Sequence, residues 1–259
     1  MSETYILFDI ETCTDDDDRL HQHLVNTEYI RDWEEKKQAS IAKLKKEIES
    51  LKTEKAIATR EDAIEELEAS ECPKPEEFPL AEKAGLNPIA SRIFCIAWKV
   101  VTVDNGGVKE GLSDLLIESQ VAITGDEEFE VIAKFANTLA DFPHAILVGF
   151  NIRKFDVPYL AARMLANGMY ATANINRFLN GPYNMNVIDL MEILKGPNSY
   201  VKQDHVCASF GIETQDGIMG KDVQQAYVDG RYDEITKHCE LDIDQLDQIC
   251  ETIGLWTSH

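Results

Sequence analysis

The sequence predicts an α/β domain: a mixed central sheet flanked by helices, with a helical, coiled-coil-like insertion after the first strand. Three observations carry this expectation. The chain opens on a short run, Tyr5–Glu11, that is apolar almost throughout, as a central strand covered on both faces should be. From Ile89 onward, apolar runs of strand length alternate with amphipathic helical stretches, the order that builds a sheet with helices packed on it. Between these parts the composition changes: from Leu24 to Ser70 the chain is rich in Glu, Lys, Ala and Leu and has no Gly or Pro.

Each element can be justified in turn. In the insertion, Ile41, Leu44, Ile48 and Leu51 follow the 3-4-3 spacing of a helical seam, and Ile57, Ile64 and Leu67 mark a second, shorter helix. The seam spans about two heptads, short for a free-standing coiled coil, so a hairpin packed on itself or on the body is expected. Residues 71–79, ECPKPEEFP, close the segment as a linker with three prolines. Arg92–Val103 is a strong strand, Asp104–Gly107 (DNGG) a hairpin turn, and a weak third strand is expected within 108–123. Asp126–Ala140 is an amphipathic helix with Phe129, Ile132, Phe135, Ala136 and Leu139 on one face. Ala145–Asn151 is a buried strand ending in a loop, and Val157–Ala166 a helix with Pro158 in its first turn. Asn186–Met191 is another strand. The chain from Val206 is mostly helical, ending in Tyr232–Ile253. The whole is expected to form a single domain, 1–259, with residues 24–75 as an insertion within it.

Composition narrows the function classes. At 259 residues and 44% hydrophobic content, the chain can bury a core without disulfide staples. Six cysteines lack any CxxC pair, which argues against a zinc knuckle and for a reducing, intracellular (cytoplasmic) setting. The N-terminus has no basic or long apolar signal region, and no apolar run reaches the length of a membrane span. The formal charge is −22. So acidic a chain repels nucleic acid at long range, and a nucleic-acid reading requires a local basic patch or a bound cation.

Three places carry chemistry. Asp9 and Glu11 are two apart on the first strand, so their side chains leave one face. Buried carboxylates without a basic partner are costly and become favourable when they share a cation that takes oxygen ligands, such as Mg²⁺ or Mn²⁺; a solvated strand end is the plainer alternative. Asp156 falls where the loop Gly149–Phe155 meets a helix, a position an ordinary N-cap aspartate also takes. His238 and Asp242 are one turn apart on the last helix. Asp242 shares the inward face of Leu246 and Ile249, whereas Asp244, Lys237 and Gln248 fall on the wet side. A satisfied core His–Asp pair is the alternative there. Asp189 either supports the site from behind or caps the segment after it. Asp15–Asp18 read as a solvated loop, and His21, His23, His144 and His205 show no ligand spacing. Gly217–Lys221 lacks a phosphate-loop pattern.

In order and spacing, FDIET (8–12), GFNIRKFDVPYL (149–160) and HCELD (238–242) resemble the three motifs of the DEDD (DnaQ-like) superfamily of 3′–5′ exonucleases. The resemblance covers roughly 1–20 and 86–253, not the insertion. It is nearest to the proofreading-type domains related to family B DNA polymerases and their stand-alone relatives. It implies a ribonuclease H-like three-layer fold and two Mg²⁺ or Mn²⁺ ions held by Asp9, Glu11, Asp156 and Asp242. His238 would orient or deprotonate a water, and nucleoside 5′-monophosphates would be released. Thr12, Asn151 and Phe155 would lie along the substrate path, although Phe155 suits the core equally. The third motif departs from the pattern: its spacing is that of the Tyr-x3-Asp class but its first residue is histidine. Position 243 is Ile, so the His-x4-Asp class does not fit either. His238 is therefore assigned the general-base position with the geometry of the tyrosine class.

Single-stranded DNA 3′ ends are the substrate the resemblance favours, in DNA replication or repair. An exoribonuclease of the same superfamily, or a non-catalytic nucleic-acid-binding or scaffold module, are the alternatives. A separate polymerase or repair protein is the expected protein partner, since these 259 residues contain no polymerase domain and proofreading would act in trans. No membrane partner is expected. Between Lys36 and Arg60 the insertion carries eight basic and three acidic residues. Lys43, Lys45, Lys46 and Lys52 are thus candidates for an arm on the nucleic-acid backbone, although lysine is also a good former of solvated helix.

Overall fold

A computed structural model describes residues 2–14, 30–72, 85–89, 91–104, 107–108, 117–123, 125–170, 186–196, 200–214 and 217–256. The apolar opening run becomes β1 (Glu3–Thr14), the middle of the sheet. It pairs antiparallel with β2 (Ser91–Asp104) along its full length, from Glu3 opposite Val103 to Thr14 opposite Ser91. On its other side it pairs in parallel with β5 (Ile146–Gly149), and β5 with β6 (Val187–Asp189). Two short strands, β3 (Gly107–Val108) and β4 (Glu118–Val121), pair antiparallel with β2. The order is β3-β2-β1-β5-β6, with β4 also on β2. The mixed sheet expected from the sequence is present, and the weak third strand is two short pieces.

The chain divides into two compact units, residues 16–80 and the remainder. The smaller unit is a helical hairpin of α1 (Ile30–Ile48) and α2 (Glu54–Ala69). Ile41 and Ile64 are the buried residues among those described in it, with Leu44, Ile48, Ile57 and Leu67 half-buried around them. Lys37 Nζ crosses the hairpin to the carbonyls of Glu68 (3.0 Å) and Ser70 (2.7 Å) and stands over the Trp33 ring. Lys45–Glu68 and Arg60–Glu47 are exposed ion pairs, which contribute little.

In the larger unit the pleat of β1 sorts its side chains. Ile6, Phe8 and Ile10 enter one core with Trp98, Phe135 and Leu160. The helices there are α3 (Glu128–Asp141) and α4 (Asp156–Ala166). Tyr5, Leu7 and Cys13 enter the other core. It is closed by α6 (Gln203–Phe210), α7 (Val223–Val228) and α8 (Tyr232–Thr252), following α5 (Leu190–Lys195) in the chain. Helices thus cover both faces, giving three layers. Across the first core, Glu128 takes a two-pronged ion pair from Arg163 (2.8 and 2.6 Å). It also accepts the Ile93 amide (2.8 Å) and the Asn167 side-chain amide (2.8 Å). Glu128 ties α3, α4 and β2 together.

Among the boundaries that differ from expectation, two have a clear local form. The strand expected over Asn186–Met191 stops at Asp189, whose side chain accepts the amides of Met191 (3.1 Å) and Glu192 (3.3 Å) and starts α5. The helix expected from Asp126 begins at Glu128 after a 3-10 turn, Gly125–Glu127. Asp15–Asp18, His21, His23, Asn105, Gly106 and residues 73–79 of the proline linker lie outside the described residues. All six cysteines are free thiols, and no helix among the described residues is long and apolar enough to cross a membrane.

Candidate active site

The pleat that sends Ile6, Phe8 and Ile10 to one core sends Asp9 and Glu11 to the face covered by α8. Beside Glu11 the β1–β2 register slips: Glu11 faces Cys95 and Thr12 faces Ile93, leaving Phe94 as an extra residue on β2. Such bulges re-aim side chains next to functional sites. Thr12 spends its hydroxyl on the Gly85 carbonyl at 2.6 Å.

Asp156 is delivered by the turn from β5 to α4. At Gly149 a Cβ would meet Ile152 Cδ1 at 2.8 Å and the Phe8 carbonyl at 3.1 Å, so a larger residue would have to push Ile152 and β1 aside. Asn151 has φ 61°, the left-handed region that asparagine tolerates better than most residues. The amides of Asn151 and Arg153 both donate to the buried Asp189 carboxylate at 3.1 Å. Asp189 therefore does both things the sequence left open: it caps α5 and it holds the loop before Asp156. Asp156 itself is the first residue of α4, not its N-cap, which is Phe155. Its side chain is buried, and Oδ1 has no hydrogen-bond partner.

α8 supplies the third part. His238 Nε2 lies 3.4 Å from Glu11 Oε1 and 4.0 Å from Asp242 Oδ2. Gln203, at the start of α6, donates to the Asp242 carbonyl at 3.2 Å and approaches Oδ1 at 3.5 Å. The Cys239 thiol donates weakly to Asp9 (3.6 Å). A cleft of about 670 Å³ receives Asp9, Glu11, Asp156, His238 and Asp242, and Thr12, Asn151 and Phe155 line it too. It falls in the size range of small-molecule pockets. Every site residue expected in the body thus meets in one place, while Lys43, Lys45, Lys46 and Lys52 belong to the hairpin unit.

Burial, more than crowding, controls the charge state. Burial, then the charges of Asp156, Asp242 and Glu11, pushes Asp9 well above the usual carboxylate range. Burial, then Asp242, does the same to Glu11. Burial raises Asp156 to about 7, although backbone hydrogen bonds from its own amide and from Ile10 hold it down. Burial, with Asp204 nearby, also raises Asp242 to about 7. Burial lowers His238 below its ordinary value. Among the described residues no lysine or arginine pairs with any of the four carboxylates.

The sequence missed other lining residues: Tyr200, Lys202, Gln203, Lys221 and Lys237. Tyr200 and the three lysines are exposed. Lys237 was placed on the wet side of α8, and it is wet, but that side is the rim of the cleft. Helical spacing finds the buried face and does not separate a cleft wall from open surface. His144 and His205 are exposed and do not line the cleft.

This architecture has known counterparts. The structure of the family B DNA polymerase from the hyperthermophilic archaeon Pyrobaculum calidifontis matches with a TM-score of 0.51 and 21% identity. The match covers 66% of this chain and 23% of that one, a likeness of fold. None of the curated proteins matches the sequence. The fold class is thus ribonuclease H-like, of the polymerase-exonuclease kind. More particularly, the chain belongs to the family described as predicted 3′–5′ exonucleases related to the exonuclease domain of PolB, whose model matches residues 99–246, more than half its length.

Proposed function

We propose that this protein is a divalent-cation-dependent 3′–5′ exonuclease that removes nucleoside 5′-monophosphates from single-stranded DNA ends in replication or repair. The observation that carries the reading is the convergence of Asp9, Glu11, Asp156 and Asp242, from β1, α4 and α8, on one cleft where, among the described residues, His238 and no lysine or arginine pairs with them. Four carboxylates whose burial, with neighbouring acids, disfavours their charged forms suit a site that takes Mg²⁺ or Mn²⁺. The orphaned Oδ1 of Asp156 passes the same test: a buried acceptor that the chain leaves without a donor. Asp9, Glu11, Asp156 and Asp242 would hold the ions. Bound there, two such ions would supply a water made nucleophilic near neutral pH and a countercharge for the phosphodiester.

The chain's own residues prepare the rest. Asp189 fixes the turn that aims Asp156 and places Asn151 on the cleft wall. His238 serves the carboxylate set through Nε2. Lys202, Lys221 and Lys237 line the cleft and provide the local positive charge that a phosphate backbone needs against a chain of −22. Phe155 and the exposed Tyr200 offer ring faces to an unpaired base. In the hairpin unit, Lys43, Lys46 and Lys52 are exposed and form the candidate backbone-binding arm, with Lys45 engaged by Glu68.

The test is degradation of 5′-labelled single-stranded DNA and RNA with Mg²⁺, Mn²⁺ or EDTA, beside Asp9→Asn. The expected result is a ladder shortening from the 3′ end of DNA, lost in EDTA and in the variant. Shortening of RNA alone would transfer the reading to an exoribonuclease; no shortening of either strand would overturn it.

A further inference from the structure

His238 differs from the four carboxylates in chemistry but shares their place. The Nε2 atom, a Glu11 oxygen and an Asp242 oxygen all lie within 4.8 Å of one another, with 3.4 Å to Glu11 and 4.0 Å to Asp242. Atoms that bind one cation at about 2.1 Å stand roughly 3–3.5 Å apart. The trio is therefore one side-chain adjustment from that spacing. Two donors come from α8, four residues apart and so on one face, the spacing by which paired helical histidines grip zinc. The third comes from the central strand, so all three hang from regular elements, which hold a site more closely than loops do.

We infer that His238 is a metal ligand through Nε2, and that Glu11, His238 and Asp242 form a mixed nitrogen–oxygen site preferring Mn²⁺ and later first-row ions to Mg²⁺. This deepens the nuclease reading of the same cleft and rests on it. Mg²⁺ favours an all-oxygen, water-rich shell, whereas an imidazole nitrogen favours transition ions. Two observations support the assignment. Gln203 occupies the Oδ1 side of Asp242, leaving Oδ2, the oxygen nearer His238, for a cation; such supporting bonds orient metal ligands. Asp156 lines the same cleft, is 3% exposed, and has a buried Oδ1 with no hydrogen-bond partner. An imidazole committed to a cation takes no proton at that nitrogen. His238 thereby parts from the general-base role that its motif position implies.

The experiment uses the full chain, freed of metal and without nucleic acid, titrated separately with Mn²⁺ and with Mg²⁺. Pulsed electron paramagnetic resonance of the Mn²⁺-loaded protein should show coupling to a ligand nitrogen, absent in His238→Gln. Loss of even a supporting partner costs about 10–100-fold in metal affinity. His238→Gln should therefore weaken Mn²⁺ at least tenfold while leaving Mg²⁺ within about twofold. A wild-type spectrum without nitrogen coupling overturns the inference, whether or not the variant folds, and so does an unchanged Mn²⁺-over-Mg²⁺ preference. Cleavage in Mn²⁺ without that coupling would sink this inference and leave the nuclease standing. Coupling without cleavage would do the reverse, and no Mn²⁺ binding at all would overturn this inference, leaving the nuclease to be judged by cleavage in Mg²⁺.

Discussion

Two sets of carboxylates in this protein, all buried except the half-buried Asp9 and Asp242, are treated in opposite ways. Glu128 and Asp189 are saturated. Glu128 accepts two bonds from Arg163, one from Asn167 and one from the Ile93 amide. Asp189 accepts four backbone amides, from Asn151, Arg153, Met191 and Glu192. Asp9, Glu11, Asp156 and Asp242 have instead one another, a histidine, a glutamine, a weak thiol donor and, at Asp156 alone, the amides of Ile10 and of Asp156 itself. Burial with few donors is expensive. On the proposed function, the first set holds the fold and the second is kept for a cation.

That contrast can be broken by substitution. The largest effect is expected at Asp156→Asn. Activity should fall by about three orders of magnitude, the loss of several kcal/mol of transition-state stabilisation, while the metal-free melting temperature holds or rises. A metal-free protein destabilised by this change would put Asp156 with the saturated acids. Glu128→Ala should do the opposite. It leaves Arg163 charged and buried, at a cost of about 3–5 kcal/mol in urea unfolding. Any residual folded protein should still bind Mn²⁺.

A pH titration sharpens the comparison. Asp156 and Asp242 are raised from 3.8 to about 7 in the fold, so folding favours their protonated forms. Their contribution is full below about pH 4 and is lost as pH rises towards and through 7. Metal-free stability should therefore decline across that window, saturating Mn²⁺ should flatten the decline, and Asp242→Asn should make it shallower. An equal slope in the variant would remove Asp242 from the strained set. The smallest effects belong to surface lysines. Changing Lys202, Lys221 and Lys237 to Glu should weaken single-stranded DNA binding and lower its salt dependence by about one unit for each phosphate no longer bound. The same change at Lys43, Lys46 and Lys52 should have a smaller effect; no effect at all would dismiss the arm.

Much of the fold was legible because β1, β2 and α8 carry patterns with a fixed period. Two apart on a strand and four apart on a helix are enough to put Asp9 with Glu11 and His238 with Asp242. Those periods do not reveal how distant segments meet. Gln203 reaches Asp242 from a different helix, and Thr12 turns its hydroxyl away to Gly85, a residue beyond the insertion. The end of β6 was misread for a local reason: Leu190 and Met191 look like strand until the Asp189 side chain captures the amides of Met191 and Glu192. At Asp156 the sequence left a helix cap as the plainer reading, and only the geometry moves the residue one position into the helix.

The insertion has a bearing on how the chain finds its shape. β1 and β2 run side by side for their whole length, yet residues 15–90 lie between Thr14 and its partner Ser91. Closing a loop that long is normally a slow, late event. The entropy of closure grows only with the logarithm of length, about 0.6 kcal/mol per doubling, and the hairpin bypasses part of it. With Lys37 hydrogen-bonded to the carbonyls of Glu68 and Ser70, nearly half the intervening chain is joined by contacts of its own. A self-closing element between two paired strands therefore adds residues to this protein while adding little to the conformational search that brings those strands together.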